Sequence, residues 1–240
     1  MNASETCEGL AIDWVARNLY WVEYTNKIKV SRMNGSLQKT LVGADDLDTP
    51  RGIAVDPLRG KLYWGEWGFK PRIASAWMDG TNSKTLVDED IMWPNGITLD
   101  IERNVIYWID ARFNTISVVN TDGSGRKQLL STSSLSQRSL LFGINYVDNH
   151  IYWTDWLKRN LESFNVNTNE TKTLLHTNIP INGVKATKLY PPPGITNQCG
   201  VFNGGCWHLC LYTPKGPSCN CADGWKLDEH GACTETDIVV

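Results

Sequence analysis

Seven cysteines, four histidines and a recurrent carboxylate are the groups in this chain from which chemistry could be built. Six cysteines follow the pattern Cys199-x6-Cys206-x3-Cys210-x8-Cys219-x-Cys221-x11-Cys233, and Cys7 stands apart. Clustering of this kind suits disulfide chemistry in an oxidising compartment, and six cysteines allow fifteen connectivities. A segment of about 40 residues has too small a core to fold without covalent staples. Cys7 is expected to be a small buried residue of its strand, or a partner for a cysteine outside this chain. His150, His176, His208 and His230 fall at unrelated points of the sequence, so they build no metal triad and no nucleophile–base pair. Surface positions are expected for all four.

The carboxylate recurs two residues after an aromatic pair: Tyr20-Trp21-Val22-Glu23, Tyr63-Trp64-Gly65-Glu66, Tyr107-Trp108-Ile109-Asp110 and Tyr152-Trp153-Thr154-Asp155. The tryptophans are 43, 44 and 45 residues apart, which marks an internal repeat. Each unit opens on a Gly-led apolar segment (Gly9-Leu10-Ala11-Ile12-Asp13, Gly52-Ile53-Ala54-Val55-Asp56, Gly96-Ile97-Thr98-Leu99-Asp100, Gly143-Ile144-Asn145-Tyr146-Val147-Asp148), followed by a turn, the aromatic pair and an alternating segment. Asn34-Gly35, Asp79-Gly80 and Asp122-Gly123 occupy one turn slot, where a tight reversal needs positive φ. The alternation has period two, so the repeat predicts about four short strands per unit and an all-β propeller of four blades. A Tyr-Trp pair on a strand sends one ring to each face, and Glu23, Glu66, Asp110 and Asp155 are expected to pair or hydrogen-bond between blades. Asp13, Asp56 and Asp100 are expected to cap turns.

With 240 residues, 41% of them hydrophobic and 20% charged, the chain can bury a sizeable core. A net charge of -3 and a pI near 5.8 supply no basic field for nucleic acid. Met1 to Glu8 hold no signal-peptide pattern, and no run of about 18 apolar residues could cross a membrane as a helix. Secreted-type cysteines without a leader are reconciled if the chain is a piece of a longer extracellular protein.

The repeat resembles the YWTD propellers of the low-density lipoprotein receptor-related family over residues 7 to about 190, and the cysteine pattern resembles an epidermal-growth-factor-like module. The resemblance implies four of six blades in 1–190, a Pro-rich linker in 191–198 (Tyr190-Pro191-Pro192-Pro193-Gly194 begins it), the module in 199–233 and a tail in 234–240. An open blade edge leaves backbone groups unpaired, so low stability is expected if two blades are missing. The resemblance also implies the pairs Cys199–Cys210, Cys206–Cys219 and Cys221–Cys233. Calcium is not expected, because Thr196-Asn197-Gln198 offers amides and no carboxylate before the first cysteine.

Residues directly ahead of each Gly-led strand are Glu8, Arg51, Asn95 and Phe142, and such loops lie at one face of a propeller. Trp93-Pro94-Asn95-Gly96-Ile97 also resembles a segment of metal-dependent six-bladed lactonases, but one carboxylate, an Arg and a Phe make a poor metal cage. No enzyme activity, metal or cofactor is expected. In YWTD propellers that bind Asn-x-Ile-type peptides, the asparagine of this motif contacts the ligand amide, which implies that role for Asn95, with Arg51, Trp93, Phe142 and Glu8 around it.

Lys70-Pro71-Arg72-Ile73, Ala76-Trp77-Met78-Asp79-Gly80 and Ile151-Tyr152-Trp153-Thr154-Asp155-Trp156 resemble the Wnt co-receptor branch, which implies Wnt-pathway ligands or antagonists as partners. An agrin-receptor or nidogen-type matrix propeller is the alternative. The implied setting is the ectodomain of a single-pass cell-surface receptor, with membrane attachment through parts outside this chain. Asn2, Asn34 and Asn169 lie in glycosylation sequons.

Overall fold

The computed structural model describes residues 6–132, 139–187 and 194–236. Four antiparallel four-stranded sheets follow one another, each with its strands ordered in space as in the chain. The first blade is β1 (Cys7–Asp13), β2 (Asn18–Glu23), β3 (Lys27–Arg32) and β4 (Lys39–Val42). The second is β5 (Pro50–Asp56), β6 (Lys61–Glu66), β7 (Arg72–Trp77) and β8 (Lys84–Val87). The third is β9 (Pro94–Asp100), β10 (Val105–Asp110), β11 (Thr115–Asn120) and β12 (Lys127–Ser131). The fourth is β13 (Leu141–Val147), β14 (His150–Asp155), β15 (Asn160–Asn165) and β16 (Thr171–His176). Two short hairpins, β17 (Leu209–Thr213) with β18 (Gly216–Asn220) and β19 (Trp225–Leu227) with β20 (Cys233–Glu235), form the cysteine module. Its disulfides are Cys199–Cys210, Cys206–Cys219 and Cys221–Cys233. No described helix is long and apolar enough to cross a membrane.

The chain divides into two compact units, Met1–Tyr63 with Ser75–Lys84 and Pro192–Val240, and Trp64–Ala74 with Thr85–Pro191. The second unit buries Tyr107, Ile109, Ile116 and Val118 of the third blade with Leu141, Ile144, Ile151, Trp153 and Phe164 of the fourth. The aromatic pair therefore serves packing: Trp64, Trp108 and Trp153 are at most 1% exposed, as the two-faced reading of the Tyr-Trp strand requires.

Glycine opens the inner strands because neighbouring backbone runs against them. A Cβ on Gly96 would stand 2.9 Å from the Phe142 carbonyl oxygen and 3.0 Å from Ile144 Cγ2, and one on Gly9 would run into the Arg51 carbonyl. The shared turn slot takes the left-handed glycines expected of it, with φ of 82° at Gly35, 86° at Gly80 and 96° at Gly123.

In the first unit the module rests on the turns of the first two blades. Asn18 Nδ2 donates to the Cys210 carbonyl at 2.9 Å, an Arg32 guanidinium nitrogen to the His208 carbonyl at 2.6 Å, and Asn197 Nδ2 to the Pro57 carbonyl at 2.7 Å. Asp223 accepts the Thr40 amide and hydroxyl at 3.0 and 2.9 Å. Two sequence expectations change here. Cys7 lies on β1 as expected but is exposed, because it sits at the very head of the strand; its thiol donates to the Gly9 carbonyl at 3.4 Å. His208 is buried rather than on the surface, its Nδ1 accepting the Ala222 amide at 3.2 Å and its ring edge-on to Trp225 at 5.0 Å.

The packing makes a paired prediction. Gly96→Ala is expected to cost about 1–3 kcal/mol of stability, as overpacked sites do. Gly43→Ala, where a Cβ meets nothing within 4 Å, should stay within about 0.5 kcal/mol. Denaturant unfolding of the two variants checks the contrast.

Candidate ligand-binding surface

The heads of the inner strands are irregular at the positions singled out by the sequence. In the first blade, Cys7 pairs with Glu23 and Gly9 with Val22, leaving Glu8 as the extra residue. In the third, Pro94 pairs with Asp110 and Gly96 with Ile109, leaving Asn95. In the fourth, the register slips between Leu141 and Ile144, across Phe142 and Gly143. An extra residue breaks the ladder and re-aims its side chain, which is how an inner strand can present a binding group at its end. Pro94 suits this place because a strand's first residue can do without a ladder donor.

The recurring acids hold these heads. Asp110 Oδ2 accepts the amides of Met92 and Trp93 at 2.7 and 3.2 Å, while Oδ1 accepts those of Arg112 and Phe113 at 2.9 and 3.1 Å. Asp155 repeats the pattern: Oδ1 accepts Leu140, Leu157 and Lys158 amides at 3.1, 3.1 and 3.0 Å, and Oδ2 accepts the Ser139 hydroxyl. In the first two blades the acid is one methylene longer and turns back along its own sheet. Glu23 takes the Trp21 indole N–H at 3.1 Å and Lys29 at 3.0 Å, and Glu66 takes the Trp64 indole N–H and Arg72, both at 2.7 Å. Burial pushes the Glu23 carboxyl up, but the hydrogen bonds from Lys29 and Trp21 win and hold it below its ordinary value. For Glu23, Asp110 and Asp155 these bonds lie within the blade and its lead-in, so local closure stands where pairing between blades was expected. The other acids cap turns: Asp13, Asp56 and Asp100 each accept an amide three residues on, at 3.0, 3.1 and 3.0 Å.

The predicted site residues fall into two groups. Glu8 and Arg51 belong to the first unit and meet as an ion pair at 3.1 Å, both partly buried. Trp93, Asn95 and Phe142 belong to the second unit. The Trp93 carbonyl accepts the amides of Asn95 and Ala111 at 2.8 and 2.9 Å, and Asn95 Nδ2 donates to the Leu141 carbonyl at 3.2 Å, next to Phe142. Trp93 is 39% exposed, with the Arg112 guanidinium 5.9 Å from its ring centre. Phe142 stacks on Trp156 at 5.1 Å and 7°, and the Trp156 indole N–H donates to Asn182 Oδ1 at 2.9 Å.

Arg112, Trp156 and Asn182 therefore join the site without having been named for it. Position gave a usable signal for one of them. The residues after the four acids are Tyr24, Trp67, Ala111 and Trp156, three of them aromatic. Asn182 lies outside the repeat and outside any strand, where no spacing rule connects it to Trp156.

Among the described residues, His208, Cys221 and Cys233 have ligand atoms within 4.8 Å of one another. Both sulfurs are bonded to each other, so neither is a thiolate able to bind metal. The surface thus offers an amide, an Arg–aromatic pair and a flat aromatic stack, which are groups for recognition.

Four-stranded blades carrying the aromatic–acid repeat, with a three-disulfide module, define a YWTD-type propeller with an epidermal-growth-factor-like module. The family pattern "Low-density lipoprotein receptor repeat class B" matches residues 17–57 and 60–101, and "Coagulation Factor Xa inhibitory site" matches 199–233. The vitellogenin receptor Yl of Drosophila melanogaster is 32% identical over 231 residues, covering 94% of this chain and 11% of the receptor. The crystal structure of a nidogen/laminin complex holds a chain that is 28% identical with a TM-score of 0.67, covering 74% of this chain and 67% of that one. Residues 17–57 and 60–101 thus carry low-density lipoprotein receptor class B repeats, and the chain spans 11% of the length of the receptor it matches.

Asp110→Asn tests the anchoring of the site. An amide has a single oxygen to offer where the carboxylate accepts four amides through two. Hydrogen exchange at Met92 and Trp93 is expected to accelerate by tenfold or more, on the order of 1.4 kcal/mol of lost protection; unchanged exchange would mean the carboxylate does not hold the lead-in.

Proposed function

We propose that the protein is a non-enzymatic, extracellular ligand-binding segment of a receptor, recognising a protein partner through the heads of its inner strands. The observation that carries this reading is the half-exposed Trp93 under Arg112 beside Asn95, with the Phe142–Trp156 stack on the adjoining inner strand. Aromatic and Arg groups supply most of the energy at interfaces, and a carboxamide can both donate to and accept from a peptide amide. An Asn-x-Ile-type peptide suits this set, its amide meeting Asn95 and its branched side chain the aromatic faces. Wnt-pathway ligands or antagonists are the partner class, on the strength of the local sequence matches.

An adhesive role in the matrix is the second reading, favoured by the likeness to a chain solved in a nidogen/laminin complex. Both readings use the same groups; they differ in the partner. The chain is similar to a vitellogenin receptor and to a chain of a nidogen/laminin complex, and Glu8, the one carboxylate among the strand-leading residues, is engaged by Arg51.

Titration calorimetry with an Asn-x-Ile peptide tests the proposal. Asn95→Ala and Trp93→Ala are each expected to weaken binding about tenfold or more while the circular dichroism spectrum stays unchanged. Equal affinity in both variants would remove the site from these residues.

Glycosylation is a separate proposal. Asn34 Oδ1 accepts the Ser36 amide and hydroxyl at 3.1 and 2.7 Å in an exposed turn, and Asn169 is exposed in the corresponding turn of the fourth blade; Asn2 lies outside the described residues. Secretion from eukaryotic cells should yield glycans at Asn34 and Asn169, removed together by Asn→Gln substitution and read by mass spectrometry.

A further inference from the structure

The turn that closes β1 and β2 departs from its counterparts where the module touches it. In the second and third blades the turn-capping acid has an arginine three residues on, and the two pair: Asp56 with Arg59 at 3.1 Å and Asp100 with Arg103 at 2.9 Å. In the first blade that position is Ala16, which packs in one apolar cluster with Cys199, Cys206 and Cys210 of the module. An arginine there would occupy the space the disulfides fill. The capping acid, Asp13, is left without its cation. Oδ1 still accepts the amides of Val15 and Ala16, both at 3.0 Å, but Oδ2 is buried and makes no hydrogen bond.

Directly across the strand pair from Asp13 is Asn18, where the third blade has Val105 opposite Asp100. Asn18 binds the module through Nδ2, which donates to the Cys210 carbonyl, while its Oδ1 is also buried and unbonded. Two lone-pair oxygens thus stand on directly opposed residues of one strand pair, with Asp13 and Asn18 both fully buried. Leaving both unsatisfied is costly, and a single proton on the carboxyl satisfies both.

We propose that Asp13 holds a proton at mildly acidic pH and donates it to Asn18 Oδ1, and that this hydrogen-bonded pair seats the cysteine module on the first blade, firmly when protonated and weakly when the carboxylate is bare. The surroundings agree: burial pushes the Asp13 carboxyl up to about 6 against the pull of its two amide bonds. Titratable or charged side chains described here include Tyr20 on β2, which feels both Asp13 and Asp79, Arg32 on β3 opposite Asn18, and His208 of the module. Burial and then Arg32 hold the His208 imidazole below its ordinary value, so its protonation acts against seating at low pH. The two groups therefore oppose each other, and their effects must be separated by substitution. A carboxyl raised in the seated state favours seating below its ordinary value, and that gain is lost as pH climbs through the raised value.

Hydrogen exchange at the Ala16 amide, corrected for the intrinsic effect of pH, reads the seating equilibrium in the full chain. Asp13→Asn keeps an acceptor for that amide and a donor for Asn18 at every pH. Between pH 7.5 and 5, protection in the wild type is expected to rise about tenfold more than in Asp13→Asn, where the common contribution of His208 cancels. An equal rise in both proteins overturns the proposal. Should the variant not fold, a carbon-13 titration of the wild-type Asp13 carboxyl decides: a midpoint near 6 supports it, and a midpoint below about 4.5, the ordinary carboxylate range, contradicts it.

Discussion

Everything at the head of the inner strands depends on a buried carboxylate two residues beyond each Tyr-Trp pair. The strand that carries it is the best packed of its blade, so the acid is held in place by the core on both sides. From there it collects backbone donors that would otherwise be buried without partners. In the third and fourth blades those donors come from the following turn and from the chain arriving at the inner strand, so one side chain fixes two segments. The Trp93–Asn95 and Leu140–Phe142 stretches are positioned in this way. Where the acid is Glu, it turns to the tryptophan indole and a cation of β3 or β7 instead. The repeat is therefore of two kinds, and the Asp kind is the one beside the proposed aromatic site.

A second constraint is close approach of backbone. Gly9 and Gly96 let a neighbouring inner strand run where a side chain would stand, and the bulge just before each turns Glu8 or Asn95 out of the ladder. Glycine, bulge and carboxylate together convert a packing requirement into a presented side chain. The scaffold and the surface are built from adjacent residues with opposite duties: Trp153 is buried in the core while Trp156, three residues later, stacks on Phe142.

Period and turn chemistry made the blades legible. A two-residue alternation at a spacing of 43 to 45 residues, with Gly in the positive-φ slot, defines four-stranded sheets with little freedom left. The slot ahead of each glycine was legible too, since it recurs. Partnership was not. Arg112 over Trp93 and Asn182 against Trp156 depend on which loops lie side by side, and no repeat rule states that. At Glu23, Asp110 and Asp155 local bonds stand where bridging between blades was expected, because repetition reveals only that a residue is needed, and the length of Glu against Asp decides what it reaches. Cys7 and His208 exchanged places with their expectations for a related reason: burial is set by position along a strand and by module packing, both invisible in residue type. At Ala16 and Asn18 the departure from the repeat was readable all along, but its meaning required seeing the module resting there.

Indole resonances of a nitrogen-15-labelled chain during titration with an Asn-x-Ile peptide test the central claim most directly, since the chain's 11 tryptophans cover both the scaffold and the surface. The account predicts saturable shifts at Trp93 and Trp156, with Trp64, Trp108 and Trp153 unmoved. Shifts confined to Trp207 and Trp225 of the module, or to the buried tryptophans, would contradict it.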